Sequence, residues 1–246
     1  MKKSLPKYLL TSLFCCLCAA GQAQDWVYKV NIGGNIGGTT PLPLPAEFRK
    51  LEHYAPVLAP HAAFEATHWF SKRWGITAQF SVDVKGFNVT DSVLYLRTEM
   101  KMTDHPYIGT FTGHNTTNIR NTYLNLPVLA TYHLSYSWLL QGGMYMAWLS
   151  SSNFSGSAND GYIREGGPTG DKTLVHIAHF DFSENQRTFD GGLLAAAEWK
   201  LSHRLALRGQ LAWGLTSVFP SSFTGMPFKM YNVYGTLALS YLLKQS

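Results

Sequence analysis

The stretch Arg204–Leu215, RLALRGQLAWGL, changes character at almost every residue. Leu205, Leu207, Leu211, Trp213 and Leu215 share one face with Gly209. Arg204, Arg208 and Gln210 share the other with Ala206, Ala212 and Gly214. Side chains alternate across a strand, so a period of two kept this long reads as a half-buried β-strand. Working outward, the same pattern recurs at Trp74–Lys85, where Trp74, Ile76, Ala78, Phe80 and Val82 oppose Thr77, Gln79, Ser81, Asp83 and Lys85. It recurs again near the C-terminus, with Val233, Leu237, Leu239 and Tyr241 against Asn232, Tyr234, Thr236 and Ser240.

Eight such segments are predicted, starting near Trp26, Ala62, Trp74, Arg120, Trp138, Arg187, Arg204 and Met230. Short turns fall at 71–73, 135–137 and 202–203. Long connections run about 39–60, 88–117, 151–186 and 220–229. Prolines remove a ladder donor, and all but one of those after residue 24 fall in the long connections. The exception, Pro127, predicts a bulge. Gly33-Gly34 and Gly37-Gly38 predict the end of the first strand. Within the long connections, Phe48 and Leu51 fit a short helix at 46–54, whereas 93–102 and 173–180 look extended.

The faces decide the surroundings. The polar face carries charges of both signs: Lys29, Glu65, Asp83, Lys85, Asp190, Glu198, Lys200 and Arg208. Aromatics gather at both ends of the segments. Trp26, Phe70, Trp74, Tyr132, Trp138, Trp199 and Tyr241 lie at the short-turn end, and Phe87, Trp148, Phe189, Trp213 and Tyr231 toward the long connections. Lipid outside a closed barrel requires that arrangement: an apolar outer band, aromatic girdles and no open strand edge. The expectation is an all-β, eight-stranded antiparallel up-and-down transmembrane barrel with a plugged lumen, short periplasmic turns and four long external loops. The eight charges would be structural, pairing inside the lumen, with Glu198 and Arg208 as a diagonal pair.

The N-terminus sets the compartment. Lys2, Lys3 and Lys7 precede an apolar run at 8–20, and Gly21 and Ala23 stand before Gln24. That order predicts a signal peptide at 1–23, cleaved between Ala23 and Gln24, and a barrel domain at 24–246. Cys15, Cys16 and Cys18 are the chain's three cysteines, so the exported part has no thiolate chemistry. Of 20 basic residues against 15 acidic, three lysines belong to that leader, which leaves a net +2. So small an excess is no basis for nucleic-acid binding.

The segments FSKRWGITAQFSVDVKGF (70–87), YLNLPVLATYHL (123–134) and FDGGLLAAAEWKLSHRLALRGQLAWGLTSVF (189–219) resemble the PorT-like outer-membrane β-barrel family. Tyr123 and Pro127 match that family's tyrosine-initiated, proline-containing strand before its second short turn. The resemblance implies a bacterial outer-membrane location, and its namesake implies an accessory role in type IX protein secretion. A non-enzymatic interaction protein at the cell surface is therefore expected. It would be monomeric, contact outer-membrane lipid, use its external loops for any protein partner, and carry no cofactor, metal or catalytic site.

Two other readings bear on the same residues. An outer-membrane enzyme modifying lipid A or a surface polymer would use a pair such as His133 and Ser135, but these fall at a periplasmic turn, away from the outer leaflet. His176 and His179 are three apart and point to opposite faces of a strand, so one metal cannot take both. A soluble ligand-binding barrel would instead put its apolar face inside.

Overall fold

In a computed structural model, residues 25–101, 106–165 and 169–245 are described. The expected leader and its cleavage point lie outside these residues. The described residues form eleven antiparallel strands and one 3-10 turn at Ser183–Asn185. They are β1 (Asp25–Pro41), β2 (Phe48–Pro56), β3 (Pro60–Trp69), β4 (Trp74–Lys101), β5 (Pro106–His133), β6 (Trp138–Ser151), β7 (Phe154–Glu165), β8 (Lys172–Asp181), β9 (Phe189–Lys200), β10 (Leu205–Gly214) and β11 (Met230–Gln245).

Pairing runs β1–β3–β4–β5–β6–β9–β10–β11 and returns from β11 to β1. These eight strands correspond to the eight alternating segments. β2, β7 and β8 are additional strands inside stretches read as long connections. Beyond residue 83, β4 exchanges its neighbour β3 for β2; likewise β5 pairs β6 over 122–133 but β7 over 109–119. The result is an extension in the order β2–β4–β5–β7–β8. Its own apolar core joins Val93, Leu96, Phe111, Ala158, Ile163, Val175 and Ala178.

Burial follows the alternation with inverted polarity. Glu65, Gln79, Asp83, Arg208 and Asn232 are buried, whereas Phe64, Phe80, Val82, Leu211 and Leu237 are exposed. Close pairing also explains the glycines in β1. A Cβ on Gly33 would lie 2.1 Å from the Leu237 carbonyl oxygen, so β11 can approach only because none is there. The expectation that these glycines end the first strand is wrong, since β1 continues to Pro41.

Three other expectations are corrected. Residues 48–56 are a strand and not a helix, because β2 gains a ladder against β4. Pro127 makes no bulge. Register holds from Ala78↔Val128 to Ser81↔Asn125, and the ladder merely skips Gln79 and Phe80 beside the missing donor. Phe87 is buried in a cluster with Ile119, Phe154 and Tyr234, so it does not belong to an outward girdle.

The three tight turns share one construction. In Phe70–Trp74, Leu134–Trp138 and Leu201–Leu205, the second residue is a serine. Each Oγ accepts hydrogen bonds from the backbone N–H groups two and three residues on, at 2.9–3.3 Å. Each turn also returns two backbone N–H groups to the carbonyl of its closing residue. Serine is favoured because its short hydroxyl substitutes for a backbone acceptor.

Candidate functional site

The inward residues of the ring stack into connected polar groups. Nearest the serine turns, Arg208 donates to Glu65 at 3.0 Å and lies 3.7 Å from Glu198, which Lys29 holds at 2.5 Å. Gln141 also donates to Glu65, at 3.1 Å, and Arg208 reaches Gln79 at 3.3 Å. Two cations and two carboxylates thus balance in a site where unpaired charge would be costly. Glu198 and Arg208 do pair, but directly across β9 and β10 rather than diagonally.

The next group centres on Asp83. It accepts from Ser81 at 2.6 Å, from Asn35 at 3.0 Å and from Asn125, and meets His61 Nδ1 at 2.5 Å. Beyond it, Lys85 lies 3.5 Å from Asp190, which also accepts from Tyr145 at 3.1 Å and Asn232 at 3.0 Å. The Lys85 ammonium sits 4.7, 5.4 and 5.6 Å from the ring centres of Tyr123, Tyr145 and Tyr234. Aromatic faces attract a cation, so the cage compensates part of its lost hydration. The cavity beside Asp83 and Lys85 holds only about 20 Å³, roughly one water.

Seven of the eight charges expected inside are therefore there. Lys200 is not: it is exposed, with its ammonium 4.5 Å from the ring centre of Tyr136 at a turn. Residue 200 has the inward phase, but it is the last residue of β9, at the rim. Tyr234 stands on the polar face in the sequence, but its grouping with Tyr123 and Tyr145 around Lys85, and the place of His61, are visible only in the structure. The tyrosines' own signal was phase: Tyr145 is in step with Gln141, and Tyr234 with Asn232 and Thr236.

Of the histidines weighed for chemistry, His133 packs edge-on against Trp69 at 4.1 Å, and Ser135 Oγ is the turn acceptor described above. His176 and His179 are both exposed on β8. Among the described residues, no three His, Cys, Asp or Glu side chains are grouped for a metal.

At the opposite end from the serine turns, the extension and the chain near Phe228 line a half-open cavity of about 490 Å³. Its wall is mostly apolar, and Asp91 is its buried carboxyl.

No curated protein matches this chain. Among solved structures, it is similar to Ail, the attachment invasion locus protein of Yersinia pestis, in complex with the heparin analogue sucrose octasulfate. Identity is 8%, coverage 90% of this chain and 100% of that one, and the TM-score 0.37. It is also similar to Neisserial surface protein A, at 7% identity, 91% and 99% coverage and a TM-score of 0.35. The family described as outer membrane protein beta-barrel domain matches residues 22–220. An apolar exterior, aromatic ends and a polar interior suit that match, and the chain belongs to this family of bacterial outer-membrane proteins.

Proposed function

We propose that this protein is a monomeric, eight-stranded transmembrane barrel with a plugged lumen, whose work is done at the cell surface. Its role is that of a non-enzymatic accessory or interaction protein in secretion or envelope assembly, as the PorT-like resemblance implies. One observation carries the reading: the strands continue past the ring into a sheet with its own core, bounded by edge strands β2 and β8. Edge strands present unpaired backbone groups and accept an extended partner segment by strand addition. On β8, Leu174 is 69% exposed and Ile177 59%, so apolar side chains line that edge.

Lysines on an edge oppose strand addition. The combined Leu174→Lys and Ile177→Lys variant should fold and reach the outer membrane, because both side chains are exposed. It should lose the protein's cellular phenotype in a complementation assay. Full complementation by a correctly assembled variant would rule out β8 as the working surface.

The plug has a separate test. An interior filled by the Arg208, Asp83 and Lys85 groups leaves no solute path. Purified protein in a planar bilayer should show no porin-like conductance. Stable, large channels from homogeneous monomer would reject the plugged lumen.

A further inference from the structure

The cavity at the external end differs from the rest of the interior. Phe87 and Ile119 bring to it the last inward positions of the ring. Phe111 and Leu51 come from the extension, and Phe180 and Phe228 close it from the sides. At about 490 Å³ it falls within the range of small-molecule sites, roughly 300–1,000 Å³.

Asp91 is what gives this cavity chemistry. It follows Phe87 and Val89 on the inward phase of β4 and is only 5% exposed. Its register partner Asn115 lies beside the carboxyl, but Oδ1 is buried and has no partner. The buried carboxylates Glu65, Asp83 and Glu198 each have a cation or a protonatable histidine at hand. Asp91 has an amide beside it and otherwise belongs to the wall of a mostly apolar cavity. Burial pushes its pKa up to about 7; nearby Glu52 pushes the same way, and Asn115 opposes them. A group so placed lacks a donor, and a cationic donor would both fill the acceptor and offset the lost hydration.

We propose that this cavity is a binding site for a small lipophilic amine: the phenylalanine-rich wall holds the apolar body, and Asp91 Oδ1 accepts a hydrogen bond from the ammonium. The wall favours the same head group, since aromatic faces attract cations most strongly where water is excluded. Arg49 and Lys50 line the margin but are exposed, where solvent and salt screen them, so the choice of ligand is made at Asp91. This inference concerns the cavity and does not depend on partner binding along β8.

The probe is 4-phenylbutylamine, titrated at pH 8 into full-length protein in lipid nanodiscs, with empty nanodiscs and 4-phenylbutyrate as comparisons. One saturable site is expected, with the carboxylate probe binding at least tenfold more weakly. Asp91→Asn should weaken the amine at least tenfold. Val89→Trp, which fills the cavity, should abolish binding while heat-dependent gel mobility still reports a folded barrel.

In the unmodified protein, amine affinity should fall at least tenfold between pH 8 and pH 5, because the amine stays charged while Asp91 takes up a proton. Titratable and charged groups near Asp91 include Arg49, Lys50, Glu52, His53 and Tyr54 on β2 and His114 on β5, where His114 and Glu52 pair at 3.2 Å. The pH series is therefore repeated in His114→Gln and in His53→Gln, and should keep its slope in both. If Asp91→Asn does not fold, the pH series decides. Absence of saturable binding, equal affinity for the butyrate, or an affinity indifferent to both pH and Asp91→Asn would overturn the proposal.

Discussion

The Arg208→Ala protein is expected to lose about 3–5 kcal/mol of stability, measured by guanidinium unfolding from lipid vesicles. Arg208 and Glu65 are both fully buried and meet at 3.0 Å. Without the guanidinium, Glu65 keeps the amides of Gln141 and Asn31, a hydroxyl at 3.4 Å and the more distant charge of Lys29, which is already paired with Glu198. Glu198 keeps Lys29 and suffers less. The loss should therefore come mainly from one stranded carboxylate, not from a weakened pair. Adding Glu65→Gln to Arg208→Ala removes that charge and should recover part of the loss. A double variant as unstable as the sum of the single losses would mean that the two side chains act independently. An Arg208→Ala cost under about 1 kcal/mol would mean that the interior hydrates freely.

The same charges show how far the sequence could be read. Inside the ring, register runs unbroken over long stretches, as from Leu205↔Tyr241 to Trp213↔Val233, so phase alone placed Glu65, Arg208 and Asp190. Phase does not measure depth, which is why Lys200 was placed with them although it ends its strand. Beyond the ring the signal fails for a physical reason. β2 shifts register between Phe48 and Lys50 and again between Leu51 and His53, leaving the three-residue spacing of Phe48 and Leu51 to imitate a helix. β4 shifts between Val93 and Leu96, where Tyr95 takes a φ of 58°. Each bulge moves later side chains to the other face and erases the alternation. The cavity around Asp91 was hidden for the same reason. Its wall is assembled by bulged strands and by Phe180 and Phe228, which are distant in sequence.

The Leu237→Arg protein is expected to be destabilised by about 2–4 kcal/mol in the same unfolding assay, the cost of an arginine on the lipid face near the midplane. Leu237 is 62% exposed and pairs with Gly209 on one side and Gly34 on the other, so no neighbouring side chain covers it. On β11 it lies between Tyr231 and Tyr241, the aromatics toward the two ends, and the cost of a charge depends on that depth. Leu211, 54% exposed on β10, is only two residues from Trp213. Its arginine variant can reach the headgroups and should lose less, although the two leucines are exposed to a similar extent. Thr236, next to Leu237, faces inward and donates to Asn35 at 2.6 Å. Thr236→Arg should therefore act through crowding and charge inside, with no dependence on bilayer thickness. Thickening the bilayer should deepen the cost of Leu237→Arg and leave that of Thr236→Arg unchanged. Equal responses of the two variants, or a harmless Leu237→Arg, would mean that the exposed leucine face does not meet lipid.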